Sequence, residues 1–203
     1  MNENQCMSFN FGGIGHPYND YDNSKIKVIP VPYDLTTTYI SGTRKGPQAI
    51  LEASKHMELY DEELLKETYR VGIYTRQPIP VEEEQPETML KLVSESLGSD
   101  FNTDKLQVLL GGEHSISLAP VQELLKVYPD MSVLQLDAHA DLRNSYEGTS
   151  YSHACTGRRI SERCPLVQAG VRSLSKEEAD FKELSQVLTI LLLHTYIVLL
   201  HIY

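Results

Sequence analysis

The chain is short of several things, and each shortage excludes something. It has three cysteines in 203 residues, Cys6, Cys155 and Cys164. The number is odd and no C-x-x-C occurs, so neither a disulfide framework nor a zinc ribbon is implied, and the thiols read as free in a reducing cytosol. Cations are scarce: 18 Lys and Arg against 28 Asp and Glu leave a net charge of −10. Without a basic patch no nucleic acid is expected as a partner, and the acidic balance leans weakly toward a cationic ligand. The opening MNENQCMSFNFGG has neither a basic start nor an apolar core and is not expected to be a secretory signal. The one membrane-like stretch, residues 187–203, is broken by Thr189, His194, Thr195 and His201. It is shorter than the roughly 20 apolar residues a spanning helix needs, so no membrane partner is expected. Internal repeats and low-complexity linkers are missing too.

What remains is 41% hydrophobic, enough for one domain or most of one. Residues 1–24 read as a loose polar arm, 25–184 as an α/β domain, and 185–203 as an aberrant apolar tail. Strands are predicted at 25–31, 71–73, 105–110, 131–136 and 165–171, alternating with helices at 46–61, 86–97, 115–128, 152–162 and 175–184. Gly46 is expected to cap the first helix, with Pro47 at its first position, where the missing N–H costs nothing. Its inward stripe is expected at Ile50, Ala53, Ser54 and Met57, and that of the second helix at Met89, Leu92, Val93 and Ser96. Ser175 and Glu178 predict a capping box. Continuous apolar strands at βαβ spacing predict a mostly parallel sheet covered on both faces, with ligands beyond the carboxyl ends of its strands.

Two motifs fall at that edge. GGEHS (residues 111–115) follows LQVLL, and DAHAD (137–141) follows SVLQL. Residues i, i+2 and i+4 of an extended chain share a face, so Asp137, His139 and Asp141 are co-directed. On a straight strand the first and last would stand roughly 13 Å apart, too far to share one ion. The chain is therefore expected to curl there, toward a pair of ions about 3.5–4 Å apart, with His114 arriving from the neighbouring strand end. Two imidazoles and two carboxylates without a thiolate suit Mn2+, with Fe2+, Co2+ and Zn2+ as competitors. A single His beside an Asp is usually a surface pair; four such residues at this spacing are harder to explain that way.

GGEHS, DAHADLR, SHACTGRRI (152–160) and VQAGVRS (167–173), with PYD (32–34), SGTRKGPQAI (41–50) and ELYDEEL (58–64), resemble the ureohydrolase family, the arginase and agmatinase group, over about residues 26–181. The likeness is nearer agmatinase. Arg143 stands where arginases more often carry an Asn that meets the amino acid's α-carboxylate. The resemblance implies a three-layer α/β/α sandwich and a two-manganese site. It implies a cytoplasmic enzyme of polyamine biosynthesis in which water held between the ions attacks the guanidinium carbon of a small cationic substrate. Agmatine would give urea and putrescine. By position His114 and Asp141 would bind the first ion, Asp137 both, and His139 the second. His153 would shuttle a proton to the leaving amine. Homo-oligomers, commonly trimers or hexamers, are implied as well.

Other residues read plainly. Arg44 and Lys45 are expected in a solvated loop, Glu82–Glu84 as a solvated charge run, Arg158 and Arg159 tying loops or subunits, and Cys155 as packed. The family's later Asp-x-Asp ligand pair, and a Glu near the guanidinium, have no counterpart after Asp141, and residues 185–203 match no family segment. The chain is therefore expected to be C-terminally truncated or altered after about residue 184 by a shifted or spliced frame. It would then form an incomplete arginase-like domain holding one ion or none, with impaired turnover. A sheet edge left bare would invite pairing or aggregation, unless the tail covers it. Arginine, guanidinobutyrate and formimidoylglutamate are alternative substrates. An inactive fragment serving as a binding or regulatory subunit is the alternative from another class.

Overall fold

The structure is a computed structural model that describes residues 9–98, 101, 103–185 and 187–190. Cys6, His194 and His201 lie outside the described residues. The chain divides into two compact units, Met1–Pro129 and Asp130–Tyr203. Every strand ladder among the described residues is parallel, as the βαβ spacing predicts.

In the first unit, β1 (Ile26–Val31) lies between β2 (Ile73–Thr75) and β3 (Leu106–Gly111). A proline in a central strand lacks a ladder donor. Pro30 is tolerated because β2 pairs β1 only as far as Val28↔Thr75. Val28 and Pro30 both turn their carbonyls to that side, where the N–H groups of Arg76 and Ile79 donate to them at 3.1 and 3.0 Å. The missing N–H of Pro30 thus faces a position where the partner strand has already ended. β2 begins two residues later than the β-branched run predicts. Gly72, at φ +82°, sits so close to Ser24 that a Cβ there would lie 2.6 Å from the Ser24 Cα, and residues Thr68–Val71 are drawn into a 3-10 turn.

The helices of this unit are α1 (Gly46–Ser54), α2 (Pro86–Leu97) and α3 (Leu118–Val127). The cap of α1 is Lys45, and Gly46 is already helical. Its buried stripe is Pro47, Leu51 and Ser54, one position round from the expected face. Ile50 is 43% exposed, and Met57 falls beyond the end of the helix. α2 has the predicted bounds and buries Pro86, Met89, Leu90, Val93 and Leu97, so that of the expected stripe Met89 and Val93 turn inward while Leu92 and Ser96 are only half-buried. Each of its large apolar side chains contributes about 1.5–3 kcal/mol of burial. α2 packs on α3, and α1 on β1 and β3.

In the second unit, β5 (Leu166–Ala169) lies between β4 (Val133–Leu136) and β6 (Val187–Ile190), with α4 (Thr156–Ser161) and α5 (Lys176–Leu184). β6 comes from the stretch read as an apolar tail. It pairs Leu166↔Val187 through Ala169↔Ile190, so that edge of β5 is occupied. β4 departs from the expectation of strands covered on both faces. Leu134 and Leu136 are 62% and 76% exposed, and the buried position is the polar Gln135. The Ser175–Glu178 capping box forms at the start of α5 as predicted. No helix among the described residues is long and apolar enough to cross a membrane.

Candidate functional site

β4 ends at Leu136, but the chain does not leave its neighbour at once. Asp137 N–H donates to Ala169 O (3.1 Å), Arg172 and Ser173 N–H donate to Ala138 O (2.8 and 3.0 Å), and Ala140 N–H donates to Ser173 O (3.2 Å). The DAHAD segment is thus stitched to residues 169–173 by main chain alone. The curl comes at Asp141, whose φ is +51°. A non-glycine residue held in this left-handed region costs on the order of 1–3 kcal/mol, so the surroundings must over-determine it. As a result Asp137 and Asp141 each bring a carboxylate oxygen to within 4.8 Å of the other's, against roughly 13 Å on a straight strand. Asp141 is buried. Asp137 is 25% exposed, and His139, 65% exposed, places Nδ1 3.5 Å from Asp137 Oδ1.

Three supports fix this loop, and none was read from the sequence as acting on it. The capping-box carboxylate of Glu178 uses Oε2 to accept Ser175 N–H at 2.6 Å and Oε1 to accept Leu142 N–H at 2.9 Å, so the helix cap also clamps the residue after Asp141. Gly157 lets α4 press against the loop. A Cβ there would stand 2.6 Å from Ala140 O and 3.1 Å from Asp141 O, and Arg158 N–H donates to Asp141 O at 3.0 Å. Gln168 Nε2 donates to Ala140 O at 2.6 Å and to Gln135 Oε1 at 2.9 Å, while Gln135 Nε2 lies 3.4 Å from Asp137 Oδ2. The signal for the glutamines was visible, since both interrupt otherwise apolar strands.

His153 opens a short 3-10 turn capped by Ser152 and leading into α4. Its Nδ1 lies 3.3 Å from Ser152 Oγ, and its ring meets Tyr146 edge to face with centroids 5.9 Å apart. Arg159 ties α4 to the loop residue Asn144 (3.0 Å), as expected, whereas Arg158 stacks over Phe181 at 3.7 Å and so joins two helices, α4 and α5. Cys155 is fully buried, and burial pushes its thiol above the ordinary range despite the nearby Arg159. It is packed, not poised as a nucleophile.

In the first unit, His114 follows β3 and is the first residue of a 3-10 turn leading into α3. The glycines before it are required by crowding: a Cβ on Gly112 would lie 2.1 Å from Tyr33 O. Buried Glu113 binds the β1 loop through Thr36 N–H (2.8 Å) and the Thr36 hydroxyl, and also takes the Ser115 hydroxyl. Arg44 departs from the solvated-loop expectation. Its guanidinium and N–H, with Gly42 N–H, donate to buried Asp34, and it reaches Glu83 at 2.6 Å. Burial pushes the Asp34 carboxyl up, but these donors outweigh it and hold it below the usual carboxylate range. Tyr33, fully buried beside Glu113, is raised well above the ordinary phenol range, first by burial and then by that charge.

The donor set of the second unit suits a hard divalent cation. Two carboxylates within 4.8 Å of each other repel by about 3 kcal/mol or more at an effective dielectric of 20, which a cation between them converts to attraction. An imidazole alongside and no thiolate match Mn2+ or its neighbours better than a structural zinc.

The Arginase family model matches residues 24–195. The N(1)-aminopropylagmatine ureohydrolase of Thermus thermophilus is 37% identical over 165 residues, covering 81% of this chain and 56% of that protein. The agmatinase of Bacillus cereus is 33% identical over 172 residues, covering 82% and 58%. The crystal structure of the agmatine ureohydrolase of Thermoplasma volcanium superposes with a TM-score of 0.77 at 30% identity, covering 85% of this chain and 58% of that one. The chain thus spans a little over half the length of the relatives it matches. On its motifs, its parallel α/β fold and these likenesses, the chain belongs to the arginase family.

Proposed function

We propose that this chain carries the metal-binding part of a guanidino C–N hydrolase whose substrate is agmatine or its N1-aminopropyl derivative. Water and agmatine would give urea and putrescine. The observation that carries the reading is the Asp137–Asp141 carboxylate pair, within 4.8 Å and flanked by His139, at the carboxyl end of a parallel strand. On the family's pattern we assign His114, Asp137 and Asp141 to one ion and Asp137 with His139 to a second, with Mn2+ as the metal. Bound there, divalent ions polarise the substrate and lower the pKa of water so that a nucleophile exists at neutral pH.

The chain's own residues supply the rest. Asp137 and Asp141 offer fixed negative charge that also favours a cationic guanidinium. His153, with Nδ1 engaged by Ser152, is assigned the transfer of a proton through Nε2 to the departing amine. The names of the relatives support a substrate with an amine tail and no α-carboxylate, and so does Arg143 in place of asparagine. Residues 142–203 contain one aspartate, Asp180, and it pairs with Lys176. Among the described residues, Asp137 and Asp141 are the two carboxylates this assignment gives to a cluster of four positive charges. We infer that the chain holds one ion weakly and turns over slowly. The buried thiols of Cys155 and Cys164 suit a reducing compartment, and the reading places the chain in the cytoplasm. Self-association like that of the family is part of the same proposal, and light scattering of the purified chain decides it.

A chimaera of residues 1–184 joined to the remaining C-terminal part of the Bacillus cereus agmatinase tests the function. It is expected to release urea from agmatine or aminopropylagmatine faster than from arginine or guanidinobutyrate, and to lose that activity on Asp137→Asn. A folded chimaera that releases urea from none of these, and no formamide from formimidoylglutamate, sinks the proposal.

A further inference from the structure

We propose that the buried pair Gln135–Gln168 is a positioning relay that aims the Asp137 carboxylate at a bound metal. This deepens the metal reading above and rests on it. The two glutamines face each other in register across β4 and β5. Gln168 is fully buried and Gln135 nearly so, at inward positions where an apolar side chain would pack without needing partners.

The orientation of both amides follows from their neighbours. Gln168 Nε2 has two acceptors in reach, Gln135 Oε1 at 2.9 Å and Ala140 O at 2.6 Å. Turning the Gln168 amide over would set its oxygen against two oxygens, so the –NH2 must point there. Gln168 Oε1 is left without a hydrogen-bond partner among the described residues. Because Gln135 spends its oxygen on Gln168, it must turn its own –NH2 toward Asp137 Oδ2, 3.4 Å away. His139 N–H holds the other oxygen, Oδ1, at 2.9 Å. Asp137 thus meets donors on both oxygens, which fixes the plane of its carboxylate. The same Gln168 –NH2 holds Ala140, so one buried side chain sets both Asp137 and the backbone leading into Asp141.

The test uses the full 203-residue chain and three forms: wild type, Gln168→Met and Gln168→Glu. Methionine keeps the volume but donates nothing. Ionised glutamate would draw the Gln135 –NH2 to itself and turn the Gln135 oxygen on Asp137. Mn2+ affinity is read by calorimetry, the Mn2+ environment by electron paramagnetic resonance, and metal-free stability by thermal melting. Changes of hydrogen-bonded groups behind a ligand cost about 10–100-fold in metal affinity. Gln168→Met is expected to weaken Mn2+ about 10-fold with a changed resonance line. Its metal-free melting temperature should fall too, because Ala140 O and Gln135 Oε1 lose a buried donor. The affinity loss should persist at temperatures where the variant is fully folded, and Gln168→Glu is expected to weaken Mn2+ further. Wild-type affinity in Gln168→Met overturns the relay while leaving the metal reading intact. So does a loss of affinity that merely tracks lost stability across both variants. If wild type itself binds no Mn2+, both proposals fall together.

Discussion

Gly157→Ala puts the packing behind the DAHAD loop to a direct test. Two effects oppose each other. Alanine is favoured over glycine inside a helix by up to about 1 kcal/mol. Against that, the new Cβ would stand 2.6 Å from Ala140 O, 3.1 Å from Asp141 O and 3.2 Å from Gln135 Oε1. Carbon–oxygen contacts ordinarily begin at about 3.3 Å, so something must move by roughly 0.7 Å. The two nearest atoms are backbone, which cannot rotate away as a side chain can. Overpacking of this kind costs about 1–3 kcal/mol, so a net destabilisation of about 1–2 kcal/mol is expected. That corresponds to about 2–4 °C in melting temperature per kcal/mol for a chain of this size. Gly15→Ala is the control. Nothing lies within 4 Å of its Cβ position, so its effect should stay within about 0.5 kcal/mol. Urea unfolding and thermal melting of the three proteins decide the matter. If Gly157→Ala is as stable as wild type or more so, α4 does not press on the loop as described.

Three further outcomes follow from the same contacts. Asp34 has a folded-state pKa below its unfolded value. It therefore stabilises above the ordinary carboxylate pKa of about 3.9, and that stability is lost as pH falls through its lower folded value. Asp34→Asn should cost about 2 kcal/mol at neutral pH and flatten the acid limb of a urea-midpoint profile; an unchanged limb contradicts the assignment. Glu178→Ala removes acceptors from Ser175 N–H and Leu142 N–H, a loss of about 2–4 kcal/mol, with hydrogen exchange accelerated at Leu142 in particular. Cys155 should resist iodoacetamide at pH 8 until the chain is unfolded by urea, and labelling at the rate of a free thiol would show the burial to be wrong.

Periodicity carried the regular elements well where the inward stripe was long. It set the bounds of α2, yet only Met89 and Val93 of the expected stripe are buried; Pro86, Leu90 and Leu97 complete that face. It misplaced the face of α1 because Met57 was counted as helical, whereas the helix stops at Ser54 and Leu51 becomes its centre. β2 was displaced by a steric fact about Gly72 that no pattern shows. The identities at the site were legible, because His and Asp at alternate positions after an apolar run are chemically unusual. Their support was less so. The left-handed turn at Asp141, the second bond of Glu178 and the space left by Gly157 depend on segments distant in the chain. Gln135 and Gln168 were in plain view, but a rule that strands here are apolar throughout passed over them.

The most direct measurement is a calorimetric Mn2+ titration of the 203-residue chain beside its Asp137→Asn and Asp141→Asn variants. One weakly held ion per wild-type chain, lost in both variants, is the predicted result. Two tightly held ions would contradict the ligand count, and binding that neither substitution disturbs would contradict the site itself.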